Sequence, residues 1–434
     1  MKKVKAVASR KLALVFLLLC IMVVILSPWA DAPSPSTPIV PVPSGEDLAT
    51  AKPVVAEEIS RLTVEVAMEE PEFQALVDQN DEFIAKHPDI SVELHRIDPQ
   101  HAYSTYKQAA QMEELADVIL LSNEWVKEFA VSGYLLPADA AFVGKALTEQ
   151  FDVLIAPLKW NGSYLWGVPR DMDPYVLVWN MDLLHGWLGE DVTLPLTIEQ
   201  WTALTAKSSE LQGAFSWLTI DRNDPLAMLA WLENAVGERS DGLWTDGSKP
   251  WEGTPFEQAL TLLDQQRAGV KFIDNASEAA STLKAGTTLA AIVPYSLAAP
   301  LVAEPRISSD SKLELDHQTW KLPYVWPRGS SFSISSTTED EDAAYKWIAE
   351  MTDAPNQLHN LEERNLLPVY RTLYDNDRRL SNLLPGRNGQ TFPNQSPLIM
   401  GPDMAARLEK LGGLWRKFTT GVITLDDWKK EWID

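Results

Sequence analysis

Two carboxylates, Asp171 and Asp173, stand on either side of one residue in Arg170-Asp171-Met172-Asp173-Pro174, and Pro169 and Pro174 bracket them. Each proline fixes its own φ and turns the residue before it away from helix, so the bend is stiff. An apolar arm leads in from Tyr164, and an apolar strand at residues 175–179 leads out. The whole stretch 164–184 reads as a charged crossing between two long α/β-patterned regions. Polar groups carried on such a crossing are well placed to line a ligand cleft. The plain alternative is a surface loop whose acids are only solvated.

Tryptophan is the second chemical signal. There are 17, and Trp125, Trp160, Trp166, Trp179, Trp217 and Trp326 fall at expected element ends or loops. An indole offers a flat apolar face and one N–H. Sugar rings present C–H faces that suit it, while carboxylates and amides take the hydroxyls. Core or interlobe packing is expected to claim about two-thirds of them, which leaves a few for a ligand.

Other chemistry lacks its motifs. The sequence has no phosphate-binding G-x-x-x-x-G-K-[ST] or G-x-G-x-x-G loop, no H-E-x-x-H and no G-x-S-x-G. The six histidines are scattered, with no pair at metal-ligand spacing, and Cys20 is the sole cysteine. No internal disulfide, metal site or cofactor is implied. Two acids can always form a glycosidase pair, but with 61 acids in the chain that signal is nearly empty.

The elements that position these residues alternate. Residues 62–68 (LTVEVAM) and 90–96 (ISVELHR) alternate in polarity and read as strands, and residues 117–121 (DVILL) form a short apolar strand. Helical spacing fills residues 71–87, 103–112 and 123–132. Strand, helix, strand, helix, strand is the pattern of an α/β domain. After the bend come a helix at 198–204 capped by Thr197, a strand at 215–219, and helices at 226–236, 257–267 and 278–284. A strand at 289–293 precedes a second apparent crossing at 322–330. A strand at 331–335 and helices at 340–351, 357–364 and 403–434 complete the chain.

At 434 residues the chain suits two or three domains. Its net charge of −24 repels nucleic acid and anionic lipid headgroups. The first eleven residues are instead basic, and residues 12–26 are an unbroken apolar run. That is the build of an export signal, short for a spanning helix of about 20 residues. A cleaved signal, a retained anchor and lipidation at Cys20 are the alternatives, though Leu19 stands where a lipobox wants a small residue. Each places the body outside the cytoplasm. Residues 31–53, rich in Pro, Ser and Thr, form a tether.

From about Arg61 onward the body resembles the family-1 extracellular solute-binding proteins of bacterial ABC importers, the group that includes the maltodextrin-binding protein. Six pieces carry the resemblance in order. They are residues 83–94 (FIAKHPDISVEL), residues 116–121 (ADVILL) with 123–137 (NEWVKEFAVSGYLLP), Gly167-Val168-Pro169 with residues 176–180 (VLVWN), residues 286–295, then Pro323, Gly329 and Ser335, and finally residues 343–351 with Leu366-Leu367-Pro368. Thr287 and Ala291 replace the usual Lys and Met of the fourth piece. Asn365 stands where Gly is usual, and Asn also takes the left-handed conformation.

The resemblance implies a two-lobe periplasmic-binding-protein type 2 fold with an interlobe cleft. Residues 1–30 would be the signal or anchor and 31–60 the tether. The first lobe would take 61–170 and 324–374, and the second 171–323 and 375–434. Carried over position by position, the site candidates are Glu69 and Glu70 after the first strand, then Asn123, Glu124 and Trp125 opening a helix. Asp171 and Asp173 lie on the first crossing. Trp217 ends a strand, and Tyr295 stands at the usual stacking aromatic. Trp326 and Arg328 lie on the second crossing. Structural roles compete: Glu69 and Glu70 can solvate a turn, Asn123 can cap its helix, Trp326 can pack a hinge, and Arg328 can pair with nearby acids. The expected protein is a monomeric, non-catalytic receptor for a neutral mono- or oligosaccharide. It would be secreted or anchored at the outer face of the membrane and would deliver its ligand to ABC permease subunits. A membrane-tethered sensor or scavenger and an extracellular glycosidase are the rival classes.

Overall fold

The computed structural model of the chain describes residues 59–138, 149–162, 164–211, 215–238, 252–303, 312–316, 328–383 and 401–433. The expected signal, most of the tether and Trp326 lie outside the described residues.

The body is built on two five-stranded sheets. The first begins with β1 (Ser60–Ala67), β2 (Ile90–Ile97) and β3 (Val118–Ser122). After a short hairpin of β4 (Lys159–Trp160) and β5 (Tyr164–Leu165) comes β6 (Val168–Pro169). The second sheet takes β7 (Tyr175–Asn180), β8 (Leu218–Asp221), β9 (Val270–Ile273), β10 (Ala290–Pro294) and β11 (Leu313–Leu315). The chain then returns to the first sheet as β12 (Ser330–Ile334). Strand order is β2-β1-β3-β12-β6 in the first sheet and β11-β7-β10-β8-β9 in the second.

In the first sheet β1 runs parallel to β2 and β3, and β12 pairs antiparallel to β3 and β6. Leu62, Val64 and Val66 alternate inward along β1, which fixes its register. The helix Glu70–Lys86 carries Pro71 in its first turn, where the missing N–H costs nothing. Its buried Gln79 and Asn80 bond Asn360 (3.1 Å) and the Trp347 indole N–H (2.9 Å) on the returning helices Ala354–Arg364 and Glu341–Met351. Thus the late segment is locked back onto the first lobe. The helix Ala354–Arg364 ends at Asn365, whose φ of 57° is the left-handed cap expected for this residue.

In the second sheet all six residues of β7 are buried, the mark of a central strand covered on both faces. One face packs on a tryptophan cluster in which Trp201 lies 5.2 Å from Trp179, 5.8 Å from Trp217 and 6.2 Å from Trp231. The C-terminal helices Met404–Thr419 and Leu425–Ile433 close this core with Leu411, Trp415, Phe418 and Trp428. Gly421, at φ 77°, makes the break between them that a single helical stretch at 403–434 did not foresee. The helix at Ile198–Glu210 opens with a full capping box between Thr197 and Gln200.

Three segments cross between the sheets side by side. The Met172 and Leu367 amides each donate to the other's carbonyl at 2.9 Å, the Asp173 amide donates to the Arg328 carbonyl at 2.8 Å, and the Arg170 amide to the Ser330 carbonyl at 2.9 Å. Leu367, Val369 and Tyr374 already pack in the cluster on the other face of the second sheet. The third crossing is therefore made near Leu366.

Candidate functional site

A cavity of about 620 Å³ opens at these crossings, within the range of small-molecule sites. Its first wall is the carboxyl-end edge of the first sheet: Ala67, Leu120 and Ser122 with Glu72, Tyr103, Glu124 and Trp125. The opposite wall is Asn223–Leu226, after β8, with Ala405, Leu408, Glu409, Gly412, Gly413 and Arg416 of the helix Met404–Thr419. Asp171, Asp173, Arg328, Gly329, Ser330 and Leu366 form the floor. Ligands of open α/β sheets bind outside the carboxyl ends of the strands, and here both lobes turn those ends to one space.

The floor is a chain of paired charges. Arg170 is 1% exposed, and its Nη1 donates to Glu72 and Asp171, both at 2.6 Å. Asp171 also accepts from the Ser330 amide (3.0 Å) and hydroxyl (2.9 Å). Asp173 accepts from the Ser296 amide (2.8 Å), the Ser296 hydroxyl (2.7 Å) and Arg328 (3.1 Å). Burial nonetheless pushes the carboxyls of Glu72 and Asp173 up, against the opposing pull of their arginines. Burial works against the charge on Arg328, but Tyr175, Asp173, Asp224 and Glu124 outweigh it and raise its pKa further. The Arg328 guanidinium lies 5.5 Å from the Tyr175 ring centroid, and the Tyr175 hydroxyl donates to Asp224.

The first wall is aromatic and acidic. Trp125 and Tyr103 have ring centroids 5.4 Å apart, tilted at 55°. The Tyr103 hydroxyl donates to Glu128 at 2.9 Å and accepts from Lys107 at 2.9 Å, which fixes the ring. Beside them Glu124 has no donor among the described residues beyond its own backbone. Burial pushes its carboxyl up to about 7, with Arg328 pulling the other way and Asp224 across the cavity adding to the rise.

A model of the bacterial extracellular solute-binding proteins matches residues 79–379, well over half of the chain. The chain belongs to this family. Several solved solute-binding proteins share its fold. The GacH receptor of Streptomyces glaucescens, solved unliganded and with acarbose, is 17% identical, with a TM-score of 0.66 over 86% of this chain and 97% of that one. An ABC transporter solute-binding protein from Thermotoga lettingae bound with α-D-tagatose is 17% identical, with a TM-score of 0.67 over 86% and 98%. Maltose-bound MalE3 of T. maritima is 18% identical, with a TM-score of 0.64 over 86% and 98%. A search of curated protein sequences finds no match.

This solute-binding protein brings Glu124, Trp125, Asp171, Asp173 and Arg328 together at the cavity. Arg328 meets it while also paired with an acid, as its structural alternative foresaw. Four other candidates stand elsewhere. Glu69 and Glu70 are exposed at the start of their helix, where Glu70 pairs with Arg96 at 2.9 Å, and it is Glu72 that reaches the cavity. Trp217 is fully buried in the tryptophan cluster, with its indole N–H on the Gln266 carbonyl (3.1 Å), because its ring fills the space under β8. Tyr295 is 7% exposed and packs in the second sheet's core, since the helix it opens turns its first side chain inward. Asn123 caps no helix. It lies just behind the wall with its side-chain oxygen accepting from Ser331 at 2.6 Å and its Nδ2 without a partner.

Sequence reasoning did not place Glu72, Tyr103, Asp224 or the helix Met404–Thr419 at the cavity, although it expected a helix at 403–434. Asp224-Pro225 did carry a signal: an acid followed by proline is a helix start, and Asp224 indeed accepts from the Leu226 amide at 2.9 Å. A helix start after a second-lobe strand is a cleft position. Among the described residues no group of acids, His or Cys could hold a metal ion, and no helix is long and apolar enough to cross a membrane.

Proposed function

We propose that this protein is the receptor of an ABC importer and holds a carbohydrate in the cavity between its lobes. The observation that carries the proposal is the pairing of the Trp125–Tyr103 wall with carboxylates on the floor and on both walls. Ring faces take the C–H surfaces of a sugar, and carboxylates accept its hydroxyls. The fold relatives bound to acarbose, tagatose and maltose support a carbohydrate over a peptide. Trp125, Glu124, Asp171, Asp173 and Arg328 are the proposed ligand contacts, joined by Tyr103, Glu72 and Asp224.

Closure would be driven by contacts made only when both walls touch the ligand. The three crossings bend as one hinge, and the closed form is the one presented to permease subunits. The N-terminal segment would hold a monomeric body at the outer face of the membrane. The protein is proposed to be a binder and not a catalyst: Asp171 and Asp173 are engaged by three donors each, which suits holding hydroxyls rather than cycling a proton. Glu124, with its raised pKa, is the one feature that favours a glycosidase, and turnover of an oligosaccharide panel by the purified protein would establish that instead. Two permease genes beside this one favour import, whereas a histidine kinase gene favours a sensor.

The test is calorimetric titration with mono-, di- and oligosaccharides. Saturable binding that is weakened by Trp125→Ala supports the proposal. Turnover, or no binding by any sugar, overturns it.

A further inference from the structure

The charges around the cavity do not balance. Its inner walls and floor carry Glu72, Glu124, Asp171, Asp173 and Asp224. Among the described residues, against these five stand Arg328 and, just beneath the floor, Arg170. The exposed Glu409 and Arg416 on the rim cancel one another. Four of the five inner acids have a direct donor: Glu72 and Asp171 share Arg170, Asp173 has Arg328, and Asp224 has the Tyr175 hydroxyl and the helix start it caps. Among the described residues Glu124 is the one of the five with no side-chain donor. It lines the same wall as Trp125 and faces the Asp224 wall across the cavity, with Arg328 on the floor acting on both carboxylates without bonding Glu124.

A carboxylate withdrawn from water without a partner is costly, and so is a like charge facing it when two lobes close. A proton on Glu124 removes both costs in the empty cavity, and a cation brought in by the ligand removes them with the carboxylate ionised. Trp125, the next residue on the same wall, would offer such an ammonium an indole face, the best ring surface for a cation. A neutral hydroxyl can hydrogen-bond Glu124 but brings no charge to set against it and Asp224. A carboxylate or phosphate on the ligand adds a further negative charge to this wall.

We infer that the solute is an aminated sugar or polyol, whose ammonium group sits between Glu124 and Asp224 against Trp125. This rests on the proposal that the cavity takes a carbohydrate and narrows it to a cationic one.

The experiment is calorimetric titration of the protein at pH 6.5 with matched pairs: glucosamine and glucose, galactosamine and galactose, mannosamine and mannose, and deacetylated chitobiose and cellobiose. The expected result is that at least one aminated member binds ten-fold or more tighter than its hydroxyl counterpart, and that Glu124→Gln brings that ratio near unity. Asp224→Asn, which keeps a side chain able to cap its helix, should reduce the ratio as well. If a neutral sugar binds as tightly as its aminated partner, or the preference survives both substitutions, the inference falls while the carbohydrate proposal stands. If no member of any pair binds, both fall together.

Discussion

Arg328 and Asp173 are joined twice. The guanidinium Nη1 donates to the Asp173 carboxylate at 3.1 Å, and the Asp173 amide donates to the Arg328 carbonyl at 2.8 Å. The two residues lie 155 positions apart in sequence and belong to different crossings. The pair therefore ties two crossings together and also sets the charge at the cavity floor.

Replacing Arg328 by Ala should cost about 1–3 kcal/mol of stability, the scale of a lost charge-assisted bond to a buried carboxylate. Urea unfolding measures it, and ligand affinity should drop in the same variant. Full stability with reduced affinity would mean that Arg328 contacts ligand without tying the hinge.

Gly329 sits where a side chain cannot. A Cβ there would collide with the Asp171 carbonyl oxygen and would lie 3.3 Å from Asn123 Nδ2. Gly329→Ala must push two crossings apart, so the melting midpoint should fall and binding weaken together. A variant with unchanged midpoint and affinity would show that the crossings are not packed this tightly.

Two tryptophans should separate function from packing. Trp125→Ala should weaken sugar binding by about 1–3 kcal/mol, by analogy with aromatic–base stacking, with little effect on folding. Trp217→Ala empties part of a fully buried cluster and should cost about 3–5 kcal/mol of stability. Calorimetry and denaturant unfolding of both variants check the pair, and reversed effects would exchange their roles.

Glu124 gives the protein a pH signature. Its carboxyl ordinarily titrates at 4.5 but is held up to about 7 in the folded protein. Between those values the folded form keeps a proton that the unfolded chain releases, so stability falls as pH rises through this window. Glu124→Gln should accordingly stabilise the protein above pH 7, by on the order of 1–3 kcal/mol, and by much less at pH 4.5. Equal gains at both pH values would refute the raised pKa.

Much of the fold was legible because it rests on local pattern. The alternation of Leu62, Val64 and Val66, the apolar β7 and the Thr197 cap each announce an element without reference to the rest of the chain. The charged bend was legible too, since Pro169 and Pro174 confine it whatever surrounds it. The site was only half legible. Asp171 and Asp173 were found from their own stretch, and Trp125 and Glu124 from the resemblance. Trp217 and Tyr295 were misplaced because the face a ring turns to depends on tertiary packing, which neither sequence spacing nor residue type records. Tyr103 was missed for the same reason, since nothing local marks a helix's second residue as the partner of a tryptophan 22 positions on.

The most direct test of the central claim is the melting midpoint of the protein across a panel of sugars, because a ligand that binds only the folded form raises it, by about 2.7 kcal/mol of stability at a hundred times Kd. A saturable rise of a few degrees with at least one sugar, clearly reduced by Trp125→Ala at the same sugar concentration, is the predicted result. A flat profile across the panel, or the same rise in wild type and Trp125→Ala, would contradict a carbohydrate held against that ring between the lobes.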